Sequence, residues 1–200
     1  NPALVWLREN PHRFSLGRVS LALKGRDGTA ARFDQLTSTY QKLDMWTGTL
    51  TSRFTFDGEQ VSVETRMHPA RDMLLVDIRS KLVAEGRLGV DVRYPGVAAK
   101  FNPDPSDFVR DQLHSSDVIT SAPGHALIKR TIDSTVYWSS IAAPNGNVTK
   151  SGQHQFHISA KSGDHLQVAV SFERKQPGSP ASVKDGASAV GRYWRDYWAK

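Results

Sequence analysis

From residue 47 to residue 173 the sequence alternates apolar and polar side chains with a period of two, and that rhythm limits what the chain can fold into. Leu50, Ser52, Phe54 and Phe56 fall on one side of an extended chain, with Thr49, Thr51, Arg53 and Thr55 on the other. Successive side chains of a strand point to opposite faces, so such a segment buries one face and wets the other. Asp57-Gly58 tolerates the left-handed backbone of a two-residue hairpin turn. Val61, Val63, Thr65 and Met67 then restart the alternation, so the two segments are expected to pair antiparallel.

The pattern runs past His68-Pro69-Ala70-Arg71-Asp72 into Leu74, Val76 and Ile78, and past Glu85-Gly86 into Leu88, Val90, Val92 and Tyr94, which reads as a four-stranded meander. Residues 101–121, rich in Pro and Asp, read as a loop. The rhythm returns over residues 126–132 and 136–141 around Asp133-Ser134 and ends at Pro144-Asn145-Gly146-Asn147. Phe156 and Ile158, then Leu166, Val168, Val170 and Phe172, supply two last strands around Ser162-Gly163-Asp164. Before residue 47 the signal is weaker, with residues 3–7 and 18–23 strand-like and a turn at Arg26-Asp27-Gly28. Strands punctuated by turns, without helical periods between them, predict an all-β fold: antiparallel sheets packed as a sandwich.

Only the end changes period. Val183, Ala187, Val190, Trp194 and Trp198 form a helical stripe, joined by Tyr193 and Tyr197, and Ser182 with Asp185 offers an N-cap of the capping-box type. Gln176-Pro177-Gly178-Ser179-Pro180 before it reads as a rigid linker. The expected division is a β-sandwich domain over residues 1–175 and a linker with an amphipathic helix over residues 176–200. Four large aromatics load this short helix with apolar surface, so it must lie on the sandwich or on a further partner.

Composition removes several function classes. The chain has no cysteine, which rules out disulfides, thiolate metal sites and cysteine nucleophiles. No apolar run reaches the ~20 residues of a membrane-spanning helix, so no membrane partner is expected. The net charge of +6 is spread over both halves, with Arg79 and Lys81 near Asp77 and Glu85, rather than gathered into a run of one sign. Nucleic acid is therefore not the expected partner. The chain opens Asn1-Pro2 without an initiator methionine and reads as a trimmed piece. No G-x-S-x-G elbow, phosphate-binding G-x-x-x-x-G-K-[ST] loop or G-x-G-x-x-G fingerprint occurs, and no cofactor is expected.

Three segments together resemble a known arrangement: Asn10-Pro11-His12-Arg13-Phe14-Ser15-Leu16-Gly17, the strand-turn-strand from Val63-Glu64-Thr65-Arg66-Met67-His68-Pro69 to Ile78, and Tyr193-Trp194-Arg195-Asp196-Tyr197-Trp198. The chain resembles the N-terminal β-supersandwich domain, with its linker helix, of bacterial glycoside hydrolases whose catalytic domain is a toroid of six helical hairpins. The glycoside phosphorylase, glucoamylase-like and α-fucosidase families share that arrangement. The resemblance implies a non-catalytic domain that packs on, and can shape the sugar cleft of, a helical catalytic domain of the same polypeptide. It also implies a periplasmic or secreted location. The acid and base of such enzymes sit on the toroid and have no position in this sequence. Tyr193, Trp194, Tyr197 and Trp198 are the residues expected to pack between domains.

Candidate sites have plainer alternatives. A glycosidase needs two carboxylates about 5 to 10 Å apart, and Asp104 and Asp107 are the nearest pair in a long loop. Asp, Pro and Ser there also cap and turn, and turn chemistry is the commoner use. Trp46, Tyr137 and Trp138 are candidate sugar platforms for an oligo- or polysaccharide, against the alternative of core packing. One of the adjacent pair Tyr137 and Trp138 must point outward. His154 and His157 fall on opposite faces of a strand and do not make a metal pair; His154 shares a face with Phe156 and Ile158, the place of a hydrogen-bonded core histidine. His12, His68, His114, His125 and His165 are scattered, and no metal site is expected, with calcium held by loop oxygens left open. A stand-alone sandwich that binds glycans or protein through an aromatic surface is the alternative to the enzyme domain.

Overall fold

In a computed structural model of the chain, which describes residues 1–9, 15–97 and 106–200, Asp57 and Gly58 take φ values of 50° and 79°. Phe56 pairs with Glu59 across them, the two-residue turn that Asp-Gly predicts. In chain order the elements begin with helix α1 (Pro2–Glu9), β1 (Arg18–Leu23), β2 (Thr37–Asp44), β3 (Thr49–Phe56), β4 (Glu59–Met67), β5 (Met73–Arg79), α2 (Lys81–Ala84) and β6 (Leu88–Arg93). They continue with β7 (Gly96–Val97), β8 (Ser106–Asp107), β9 (His114–Ala122), β10 (His125–Ile132), β11 (Thr135–Ala142), β12 (Gly146–Gly152), β13 (Gln155–Ala160), β14 (His165–Glu173) and helix α3 (Val183–Trp198).

The strands form an eight-stranded antiparallel sheet, β2-β3-β4-β5-β14-β11-β10-β9, and a four-stranded sheet, β1-β6-β13-β12, while β7 and β8 pair separately. The core lies between the two larger sheets. Phe54, Phe56, Val61, Val63, Val76, Ile78, Ile128, Ile141, Val168 and Val170 of one meet Val90, Val92, Phe156 and Ile158 of the other. Each such side chain, fully buried, contributes about 1.5–3 kcal/mol. This is the sandwich the period-two alternation predicts, with α3 on the outer face of the large sheet against Met73, Leu75, Ala142 and Ala169.

Three local expectations are corrected. Residues 3–7 lie in α1 rather than in a strand: Asn1 Oδ1 accepts the Ala3 N–H at 3.0 Å, and Pro2 opens the helix, a position where its missing N–H costs nothing. The expected meander breaks after β5, because β6 crosses to the small sheet, and its fourth strand is β2, on the other side of β3. Ser80 Oγ caps α2 by accepting from Leu82 N at 3.2 Å, and the single turn of helix carries Leu82 and Val83 into the core at the crossing. Residues 114–121 are not loop but belong to β9, an edge strand. Only His114 and Ser116 of that strand are buried, so its sequence shows no apolar alternation.

Candidate functional site

Two places gather the side chains that could carry function. The first is a buried polar cluster at one end of the sandwich. Arg130 of β10 sits on the inner face of the large sheet, fully buried. Its Nη1 donates to the Ser115 carbonyl and to Ser116 Oγ. Its Nη2 donates to the Pro95 carbonyl at 2.9 Å and to His114 Nδ1 at 2.8 Å, and its Nε to the Tyr137 hydroxyl at 3.4 Å. The guanidinium also lies 5.3 Å from the Tyr94 ring centre. A buried cation is tolerated only when its donors are satisfied, and neutral carbonyls, imidazoles and aromatic faces satisfy this one.

The hydrogen bonds fix the histidine tautomers. The Asp111 carbonyl can only accept, so His154 Nε2 carries a proton and donates to it at 2.9 Å, leaving Nδ1 to accept from Ser116 Oγ at 2.7 Å. His114 Nδ1 accepts from Arg130, so its proton sits on Nε2, which has no hydrogen-bond partner among the described residues. The two rings stand 3.8 Å apart. Burial, with the Arg130 charge beside it, lowers the His114 pKa to about 4, and burial likewise lowers that of His154, so both are neutral at neutral pH.

Asp111, His114 and His154 thus come close enough to suggest a metal site, a convergence the sequence concealed. The tautomers argue against it, because both Nε2 atoms carry protons rather than free lone pairs and the Arg130 cation lies against the rings. The cluster instead ties Pro95, β9 and the segment of Leu16, whose carbonyl accepts from the Tyr137 hydroxyl at 2.6 Å, to the sandwich.

The second place is an aromatic surface built by α3 and the turn between β2 and β3. Ser182 Oγ caps the helix by accepting from Asp185 N at 3.2 Å, as its sequence predicts. One side of α3 places Val190 and Trp194 on the sheet, the indole against Gly48. The other side leaves Tyr193, Tyr197 and Trp198 partly exposed, 44%, 51% and 39% respectively. Trp46, 67% exposed in the turn, lies 4.6 Å from Trp198, and Trp198 Nε1 donates to the Met45 carbonyl at 3.0 Å. Trp194 and Trp198 stack at 6.2 Å, and Tyr193 and Tyr197 at 6.1 Å. Five rings from two distant stretches of sequence therefore form one partly wetted surface.

The remaining candidates separate. Tyr137 is the inward member of its pair, 4% exposed, which takes its ring out of reach of a sugar in solution. Trp138 is the outward one, half-buried between Lys129 and Glu173 in register. Asp107 accepts from the Val109 and Arg110 N–H groups at 2.8 and 3.2 Å and pairs with the Arg110 side chain. These contacts hold its carboxyl below the usual carboxylate range, a turn residue rather than a general acid. Asp104 lies outside the described residues. One carboxylate pair that the sequence reading missed does meet across strands: Glu64 opposes Asp77 on the outer face of the large sheet. Arg66 binds Glu64 at 2.5 Å, while His165 and Gln167 bind Asp77 at 2.9 and 2.8 Å and Arg79 pairs with it at 3.6 Å, so each already has partners on an open sheet.

No family model matches the chain, and no curated protein matches it in sequence. Among solved structures, a bacterial glucoamylase complexed with acarbose aligns over 80% of this chain and 28% of its own, at 7% identity and a TM-score of 0.46. A putative kojibiose phosphorylase from human microbiome aligns over 82% of this chain and 24% of its own, at 9% identity and a TM-score of 0.43. The chain spans about a quarter of the length of these structures.

Proposed function

We propose that the chain is a non-catalytic sandwich domain of a carbohydrate-active polypeptide, whose aromatic surface packs against a helical catalytic domain of the same polypeptide. The carrying observation is the surface made by Trp46, Tyr193, Tyr197 and Trp198. It is continuous and partly exposed, and aromatic side chains of this kind concentrate at protein interfaces, where water leaves their faces. The carbohydrate class is supported by the resemblance of the three sequence segments described above. The state of the carboxylates agrees with a non-catalytic role: Glu64, Asp77 and Asp107 each have a hydrogen-bonding or ion-pair partner.

The second reading, a stand-alone glycan- or protein-binding module, is favoured by the exposure of the Trp46 ring at the tip of a turn, where an indole face can stack on a pyranose. The coding sequence downstream of Lys200 separates the two. A frame that continues for several hundred codons with the periodicity of helical hairpins supports the domain reading. A stop codon close by overturns it in favour of the module.

A further inference from the structure

The half of the large sheet's outer face that α3 leaves open carries a groove of about 660 Å³, within the size range of small-ligand sites. Its floor is written by strand register. Tyr40 of β2 pairs with Arg53 of β3, Arg53 with Ser62 of β4, and Ser62 with Arg79 of β5, which sets four side chains in one row on one face. Neighbouring strands are about 4.8 Å apart, so the two arginines stand about 10 Å apart at their Cα atoms with Ser62 between them. Thr55 and Gln60, paired with each other in the next row of the same face, extend the wall.

Of the two charges in this row, Arg53 is unmatched by the described residues and Arg79 is matched only by an ion pair too long for a hydrogen bond. Arg53 is exposed and has no hydrogen-bond or ion-pair partner among the described residues. The nearest carboxylates on the same face, Glu64 and Asp77, form the adjacent row toward α3 and are committed to Arg66 and to His165 and Gln167. Arg79 reaches Asp77 only at 3.6 Å, longer than a hydrogen bond. Asp164 is the carboxylate at the groove's rim. Two guanidinium groups with spare donors are suited to hold a carboxylate bidentately. The half-exposed Tyr40 ring beside them offers an apolar platform, and Ser62, Thr55 and Gln60 offer partners for hydroxyl groups.

We propose that this groove binds an acidic saccharide, its uronate carboxylate received between Arg53 and Arg79 and a sugar ring lying against Tyr40. A free inorganic anion would use the arginines but not the tyrosine, which is why the saccharide is favoured over phosphate. The site shares only the carbohydrate class with the proposed function. Its loss would leave the aromatic surface and its packing untouched, so the two can fail separately.

Calorimetric titration of the intact 200-residue chain at low ionic strength tests the proposal, with tetragalacturonate, maltotetraose and inorganic phosphate as separate probes. Tetragalacturonate should bind, more weakly as salt is raised, and maltotetraose should not. Arg53→Ala and Arg79→Ala should each weaken binding about tenfold, the loss of a charge-assisted hydrogen bond. Tyr40→Ala should weaken tetragalacturonate while leaving any phosphate binding unchanged, and unchanged amide spectra of each variant establish that the fold persists. Absence of tetragalacturonate binding, equal binding of maltotetraose, indifference to Arg53→Ala, or binding of phosphate alone would each overturn the proposal.

Discussion

Trp198 donates its indole N–H to the Met45 carbonyl at 3.0 Å and sets its ring 4.6 Å from that of Trp46. The last turn of α3 is thereby pinned to the hairpin between β2 and β3. An aromatic pair of this kind adds about 0.5–1.5 kcal/mol beyond its buried area. Trp198→Ala should cost about 1–2 kcal/mol in urea unfolding and should speed amide exchange across residues 193–199. Unchanged exchange there would mean that the helix end is held by other contacts.

Gly48 should tolerate no side chain. Its φ of 62° is left-handed, and a Cβ there would come within 1.9 Å of Trp194 Nε1. Gly48→Ala combines backbone strain with a clash against a ring already seated on the sheet, and a loss of about 2–4 kcal/mol is expected. A Trp194 emission shifted to longer wavelength should accompany it, and a variant as stable as the parent would contradict the packing described.

Arg130→Met keeps much of the side chain's length and removes its donors. The Pro95 and Ser115 carbonyls lose a buried partner, and each unsatisfied group costs about 1–3 kcal/mol. A destabilisation of at least about 3 kcal/mol is expected from denaturant unfolding. A neutral outcome would show that the cluster is not a fastening of the fold.

Acid should loosen the same end of the sandwich. His114 has a folded pKa of about 4, below the ~6.5 of an unfolded histidine, and that of His154 is lowered too. The unfolded chain therefore takes up protons first as pH falls. For His114 the contribution is complete above about pH 6.5 and is lost between there and about pH 4, at up to ~1.4 kcal/mol per pH unit, and His154 adds to it in the same direction. His114→Gln, which keeps an acceptor for Arg130, should flatten this slope; an unaltered slope would place the titration elsewhere.

The sandwich was legible because alternation reports burial directly: Phe54 and Phe56, Val61 and Val63, and Leu166, Val168, Val170 and Phe172 turn inward as their parity requires. Where a strand carries little apolar load the signal fails, as in β2, exposed nearly throughout, and in β9. The β6 crossover was hidden because its alternation is the same in either sheet. At the site level, the helix stripe announced an aromatic face, yet its union with Trp46 depends on tertiary contact. Arg130, His114 and His154 come from three separate strands or turns, and no spacing in the sequence could bring them together.

Under the function proposed above, a helical domain of the same polypeptide covers the Trp46 and Trp198 surface. Residue-resolved hydroxyl-radical footprinting can detect that cover, by comparing the 200-residue chain with the polypeptide extended through the codons after Lys200. Oxidation of Trp46, Tyr197 and Trp198 should fall several-fold on extension while Tyr40, in the distant groove, stays as reactive as before. Equal oxidation of all four in both proteins would mean that no such domain covers the surface.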